Sequence, residues 1–222
     1  MAENKTEMLT IMFIDIVNYT ETTGKLSRES FSRLHDTFDN LIIKAVSNFN
    51  GQIIKKIGDA FLITFRAATD AVHCGILLQK EFYQYNENNS RVIPLNIRVA
   101  IHAGEVLLRN RDIYGEAVNI TSRIESIVKT GDIVFSEAVF SAMNKNEIPY
   151  KYIGSFKFKG VKMPIRLFKV KSREDFMREA KLIKIRKRIK MRRKLRAIVI
   201  FISVIFVILL LLSVLAKDLN IF

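Results

Sequence analysis

Two aspartates in this chain stand where chemistry is a reasonable alternative to packing. Asp15 closes the apolar run LTIMFIDIV, and Asp59 sits in a Gly-Asp turn between two more apolar runs, QIIKKI and AFLITF. A charge at the end of a buried strand is costly without a partner. Each has a plain reading as well: Asp15 can cap the turn at Asn18, Tyr19 and Thr20, and Asp is common in tight turns for conformational reasons. Together they can set two carboxylates side by side at a sheet edge, an oxygen-rich place for a hard divalent cation. Magnesium favours one or two carboxylates completed by substrate phosphates. Lys55 lies four residues before Asp59, and a solvated lysine beside Lys56 is its plain reading. Asp112, Asn119 and Arg123 follow in DIYGEAVNITSRIE. Asn119 and Arg123 share a helix face at four-residue spacing, which a surface polar pair would also do.

The elements that must hold these residues are legible from periodicity. Leu9 to Val17 is β-branched and apolar, a buried strand. The segment from Ser27 carries apolar residues at Phe31, Leu34, Phe38, Leu41, Ile42 and Val46, helical spacing, and Ser27 with Ser30 nearby offers N-cap oxygens. Gly51 ends it, and QIIKKI with AFLITF reads as a hairpin turning at Gly58 and Asp59. A second amphipathic helix is predicted from Ala67 to Tyr85. Pro94 to Glu105 alternates as a strand, Tyr114 to Lys129 reads as mainly helix, and Asp132 to Ser136 as a short strand. Tyr150 to Val170 reads as a closing pair of strands. Interleaved helices and strands with hairpins predict an α+β domain on a mixed or antiparallel sheet.

Order and spacing of these motifs, MFIDIVNYT, IIKKIGDAFLITF and DIYGEAVNITSRIE, resemble the catalytic domain of class III nucleotidyl cyclases over roughly residues 8–170, and the adenylyl more than the guanylyl branch. The resemblance implies a ferredoxin-like mixed sheet flanked by helices and two divalent cations, Mg²⁺ or Mn²⁺, held at Asp15, Ile16 and Asp59. It implies that Lys55 donates to the adenine ring and that Asp112 accepts from the exocyclic amine; guanylyl relatives typically carry Glu and Cys there. It assigns Asn119 to the ribose, Arg123 to the α-phosphate as the 3′-hydroxyl attacks, and Lys159, by a looser motif, to the outer phosphates. The cation ligands and the base-reading residues come from different subunits in the family, so a homodimer with two complete sites is expected, with ATP as substrate. His102 is read as structural. Ala100 and Tyr19 depart mildly from the family pattern. A non-catalytic nucleotide- or partner-binding homologue is the alternative. A diguanylate cyclase is disfavoured because no Gly-Gly-Asp-Glu-Phe turn is present.

The remainder of the chain has a different character. Ala197 to Ala216 holds no charge, Gly or Pro over twenty residues, roughly 30 Å of helix and the thickness of a bilayer core. Residues 181–196 carry ten Lys or Arg and no acid, so that of the net +14 only +4 belongs to the rest. Such a basic run beside a span marks the cytoplasmic flank and attracts anionic headgroups, whereas nucleic acid is not expected as a partner. The expected organisation is a catalytic domain at 1–170, a basic juxtamembrane helix at 171–196, one C-terminal transmembrane helix at 197–216 and a short tail at 217–222. The N-terminus lacks a signal-peptide pattern, and a lone cysteine, Cys74, suits a reducing compartment. With Asp15 so near Met1, control is expected to arrive through residues 171–222, the membrane or a separate protein.

Overall fold

The apolar run that ends at Asp15 forms an interior strand of a mixed sheet. The computed structural model describes residues 5–17, 27–89 and 93–172, with Asp175 and Met191. The span read at 197–216 and nearly all of the basic segment before it lie outside the described residues. Among the described residues no helix is long and apolar enough to cross a membrane. The chain divides into two compact units, 1–171 and 172–222, and the site lies in the first.

The elements of that unit are β1 (Lys5–Ile16), α1 (Arg28–Ser47), β2 (Gln52–Ile57), β3 (Ala60–Phe65), α2 (Ala68–Asn88), β4 (Ile97–Arg109), β5 (Asp112–Tyr114), α3 (Glu116–Glu125), β6 (Ile133–Ser136), α4 (Glu137–Ala142), β7 (Tyr150–Phe156) and β8 (Ile165–Val170). The sheet runs β2-β3-β1-β4-β6-β8-β7, with β5 folded back onto β4. Its pairings are antiparallel except β4 with β6. This is the α+β arrangement, a mixed sheet flanked by helices, that the sequence predicts.

Alternation along β1 explains the layers. Met12, Ile14 and Ile16 enter one core with Leu34, Phe38 and Ile42 of α1 and Val72, Leu78 and Phe82 of α2. Leu9, Ile11 and Phe13 point the other way, into a second core with Ala117, Ile120 and Ile124 of α3. Successive strand residues face opposite sides, so a strand covered on both faces is apolar throughout. The coverage is unequal: two long helices lie on the first face and the ten-residue α3 on the second.

Two helical details matter for the site. Ser27 caps α1 by accepting the Ser30 N–H at 3.2 Å, as its position predicts. At Gly104 an added Cβ would stand 2.8 Å from the Ala117 Cβ, so the missing side chain is what lets α3 lie close on β4.

Several boundaries differ from the periodicity. β1 starts at Lys5 and β4 runs on to Arg109, because Lys5 to Met8 pair with Leu108 to Glu105 through backbone alone, with their own side chains largely exposed. The stretch read as helix from Tyr114 to Lys129 gives up its start to β5, and α3 ends at Glu125. The β4–β5 reversal uses Asn110 and Arg111 at φ 52° and 62°, a two-residue hairpin turn of the kind usually built from Asn-Gly. Arginine is a poor left-handed residue, so the turn left little trace in composition. The one-and-a-half-turn α4 was not anticipated either.

Candidate active site

Asp15 lies at the end of β1, on the α3 face with Ile11 and Phe13, and only 7% of it is exposed. Its cross-strand partners are Ala60 on β3 and Arg98 on β4. The first pairing brings in Asp59, because the β2–β3 turn presents it one residue before Ala60. Burial raises the Asp59 pKa above its ordinary value, and the facing Asp15 carboxyl raises it further. A carboxyl buried against a second, facing carboxylate is an arrangement a divalent cation relieves, so the donor set fits the expected metals. Among the described residues no three His, Cys, Asp or Glu side chains form a ready-made cation cage. A magnesium site completed by substrate phosphates does not need one. Ile16 buries its side chain in the first core, which leaves only its main-chain carbonyl with ligand chemistry.

Two residues here escaped the sequence reading. Arg98 donates from Nη2 and Nε to Asp15 Oδ2, at 2.5 and 2.9 Å. Glu125, the last residue of α3, places Oε1 2.5 Å from Arg98 Nε. That oxygen is buried and accepts no hydrogen bond, because the Nε–H is aimed at Asp15. Burial pushes the Glu125 carboxyl up to about 7, with the Asp15 and Asp59 charges adding to it and Arg98 opposing. A signal existed for both. Arg98 is the one charge inside NIRVAIHAG, and a glutamate at a helix C-terminus works against the helix dipole.

Lys55 reaches Asp112, Nζ to Oδ2 at 2.6 Å. A bulge makes this possible. Ile53 pairs with Ile63, but Lys55 pairs with Leu62, so Ile54 is an extra residue in β2. The inserted residue turns Lys55 to the side of Leu62, in the second core, whereas Lys56, opposite Phe61, faces α1 and donates to Asp39 Oδ1 at 2.5 Å. Bulges re-aim side chains in this way. Asp112 Oδ1 also accepts its neighbour's Ile113 N–H at 2.8 Å. The Lys55 contact above all holds the Asp112 pKa below its ordinary value. Beside the pair lies an open cavity of about 430 Å³, with Ile53, Ile54 and Leu108 as its apolar wall and Arg109 and Arg111 at its rim.

Asn119 and Arg123 lie one turn apart on α3, Asn119 exposed and Arg123 half-buried. The β7–β8 loop comes up against Arg123: the Cβ position of Gly160 is 3.6 Å from Nη1. That brings the loop of Lys159, itself exposed, to the same guanidinium. His102 is buried, with Nδ1 2.7 Å from Ser136 Oγ, and burial drives its pKa down to about 4; the neutral ring is part of the core. The chain therefore gathers its polar residues into three groups: Asp15 with Asp59, Lys55 with Asp112, and Asn119 with Arg123 and the Lys159 loop. Among the described residues no hydrogen bond or ion pair joins one group to another.

A sheet of this order with these groups on it is that of a nucleotidyl cyclase domain. The chain belongs to the class III cyclase family: the adenylate and guanylate cyclase catalytic domain matches residues 1–172. The serine/threonine-protein kinase pkn2 of Myxococcus xanthus is 33% identical over 165 residues, 74% of this chain and 20% of that protein. An adenylate cyclase of Anabaena cylindrica is 29% identical over 187 residues, 75% of this chain and 37% of that one. The chain thus spans less than half the length of either relative. Among solved structures, the adenylyl cyclase CyaB from P. aeruginosa superposes with a TM-score of 0.71 at 28% identity, covering 78% of this chain and 98% of that one. The catalytic core of a rhodopsin-guanylyl cyclase with converted specificity, in complex with ATPαS, gives 0.70 at 23% identity, covering 77% and 99%; at that identity the likeness is one of fold. Adenylyl and guanylyl cyclases share this sheet, so purine preference has to be argued from side chains.

Proposed function

We propose that this chain is a membrane-anchored adenylyl cyclase, converting ATP to 3′,5′-cyclic AMP and pyrophosphate at sites shared between two copies. The observation that carries the reading is the Lys55–Asp112 pair at 2.6 Å. Adenine presents an acceptor at N1 and a donor at N6, which a lysine and an aspartate complement. Guanine presents the reverse and would meet donor with donor and acceptor with acceptor, a mismatch of the type that rejects a wrong substrate strongly.

Two divalent cations at Asp15, Asp59 and the Ile16 carbonyl would supply charge neutralisation of the triphosphate and activation of the attacking oxygen. The chain's own residues do the rest. Asn119 orients the ribose so that its 3′-oxygen faces the α-phosphorus. Arg123 stabilises the charge that builds on the α-phosphate as the new ester bond forms and the bond to pyrophosphate breaks. Lys159 holds the outer phosphates, and Arg98, once released by Asp15, is a further cation beside them. The absence of any hydrogen bond or ion pair between the three groups among the described residues supports a homodimer in which each copy completes the other's site, the commonest form of oligomer.

The anchor rests on sequence. Ala197 to Ala216 is long enough to span, and the basic run before it favours a cytoplasmic catalytic domain drawn to anionic headgroups. Full-length protein in detergent, given ATP or GTP with Mn²⁺ and analysed by mass spectrometry, tests the activity. Cyclic AMP from ATP, absent in Asp59→Ala, is the expected result. Cyclic GMP alone, or no cyclic product, overturns the reading.

A further inference from the structure

Glu125 is the residue whose position the reaction as described leaves unused. Its Oε1 is buried, lies 2.5 Å from Arg98 Nε and accepts no hydrogen bond, because that N–H is committed to Asp15 Oδ2. Buried acceptors are rarely left unmet, and one that is calls for an explanation. One guanidinium stands between two carboxylates, and one of those is assigned to the cations.

We infer that Glu125 is a positioning residue, an alternative seat for Arg98 that lets Asp15 exchange its guanidinium for cations. This inference rests on the assignment of Asp15 and Asp59 to the metals. With cations held at Asp15, Arg98 would lose the carboxylate lone pairs that now accept its hydrogen bonds. A short turn of the guanidinium then aims the Nε–H at Glu125, satisfying the orphaned oxygen and keeping the positive charge at the phosphate side of the cleft. Without Glu125 the guanidinium keeps Asp15 as its hydrogen-bonded carboxylate and competes for it with the cations. Glu125 thereby sets how tightly the site holds metal without touching it, and its contact with Arg98 ties α3 to the cation end of β1.

The test reads metal binding rather than turnover. Full-length protein with an ATP analogue that cannot cyclise is titrated with Mn²⁺, and free Mn²⁺ is followed by electron paramagnetic resonance. Glu125→Gln, which keeps shape and removes charge, is expected to weaken Mn²⁺ binding roughly tenfold, within the range such couplings span. Glu125→Asp, which keeps the charge but retracts it by one methylene, is expected to fall between. In an Arg98→Gln background, Glu125→Gln is expected to change little. Unchanged or tighter binding in Glu125→Gln overturns the inference. So does an equal loss with and without Arg98, which marks a through-space charge effect. Asp59→Ala separates this from the metal assignment: if it leaves Mn²⁺ binding intact, the assignment itself fails, whereas its loss beside an unaffected Glu125→Gln sinks only the role of Glu125.

Discussion

Lys55→Glu combined with Asp112→Cys should erase the adenine pattern, and the ratio of ATP to GTP turnover is expected to fall by at least about tenfold. An unchanged ratio would remove these two residues from base reading. Arg123→Ala is expected to lower kcat by about 10² with KM little changed, the mark of an interaction made mainly in the transition state. Steady-state kinetics at saturating ATP distinguishes this from a binding defect. The Lys55–Asp112 pair also makes a prediction about pH. The folded-state pKa of Asp112 lies below its ordinary 3.8. The pair's contribution is therefore fully present above that ordinary value and is lost as the pH falls through the lower, folded-state one. Lys55→Met should lower the melting temperature more at about pH 7 than at about pH 3, a comparison that calorimetry supplies. At this scale the sequence told most where residue type was unusual for its place: a carboxylate ending an apolar strand, a lysine and an aspartate in family motifs. It was silent on Arg98 and Glu125, because their significance lies in a cross-strand register and a helix end that only three-dimensional packing brings together.

The β2 bulge shows what periodicity misses. QIIKKI reads as a strand in either register, yet the extra residue at Ile54 decides which lysine meets Asp112. Deleting Ile54 should restore regular pairing and leave Lys55 opposite Leu62 and Lys56 opposite Phe61, because the pairs on either side of the bulge already sit on their proper faces. Retained binding of a non-reacting ATP analogue, measured by calorimetry with the fold checked by circular dichroism, is the expected result, and its loss would show that the extra residue does more than set the register. Gly104 makes the matching case for α3. Gly104→Ala forces a Cβ within 2.8 Å of Ala117, so α3 must shift. Overpacking of this type costs about 1–3 kcal/mol, readable from urea denaturation, and the displaced Asn119 and Arg123 should lower activity as well. The long, strongly periodic elements, β1, α1, the β2–β3 hairpin and α2, were legible because each has an apolar face to reveal. The β4–β5 turn was not, since Asn110 and Arg111 adopt left-handed backbone without a glycine to announce it.

For the whole molecule, division of the site between copies is the property most open to test. Asp59→Ala and Arg123→Ala, each giving at most about one per cent of wild-type activity alone, should recover activity when co-expressed. Random pairing yields half mixed dimers, each with one intact site of two, or about a quarter of wild-type activity. No recovery would place the whole site within a single chain. The lack of any hydrogen bond or ion pair between the site's groups among the described residues gives this a quantitative edge. Sparse copies meet rarely, so product formation at low abundance should climb with the square of the number of molecules, then straighten to a linear dependence once most have found a mate. Confinement to a surface would bring that crossover to far fewer molecules per cell, making a divided site a counting device for how crowded the enzyme is.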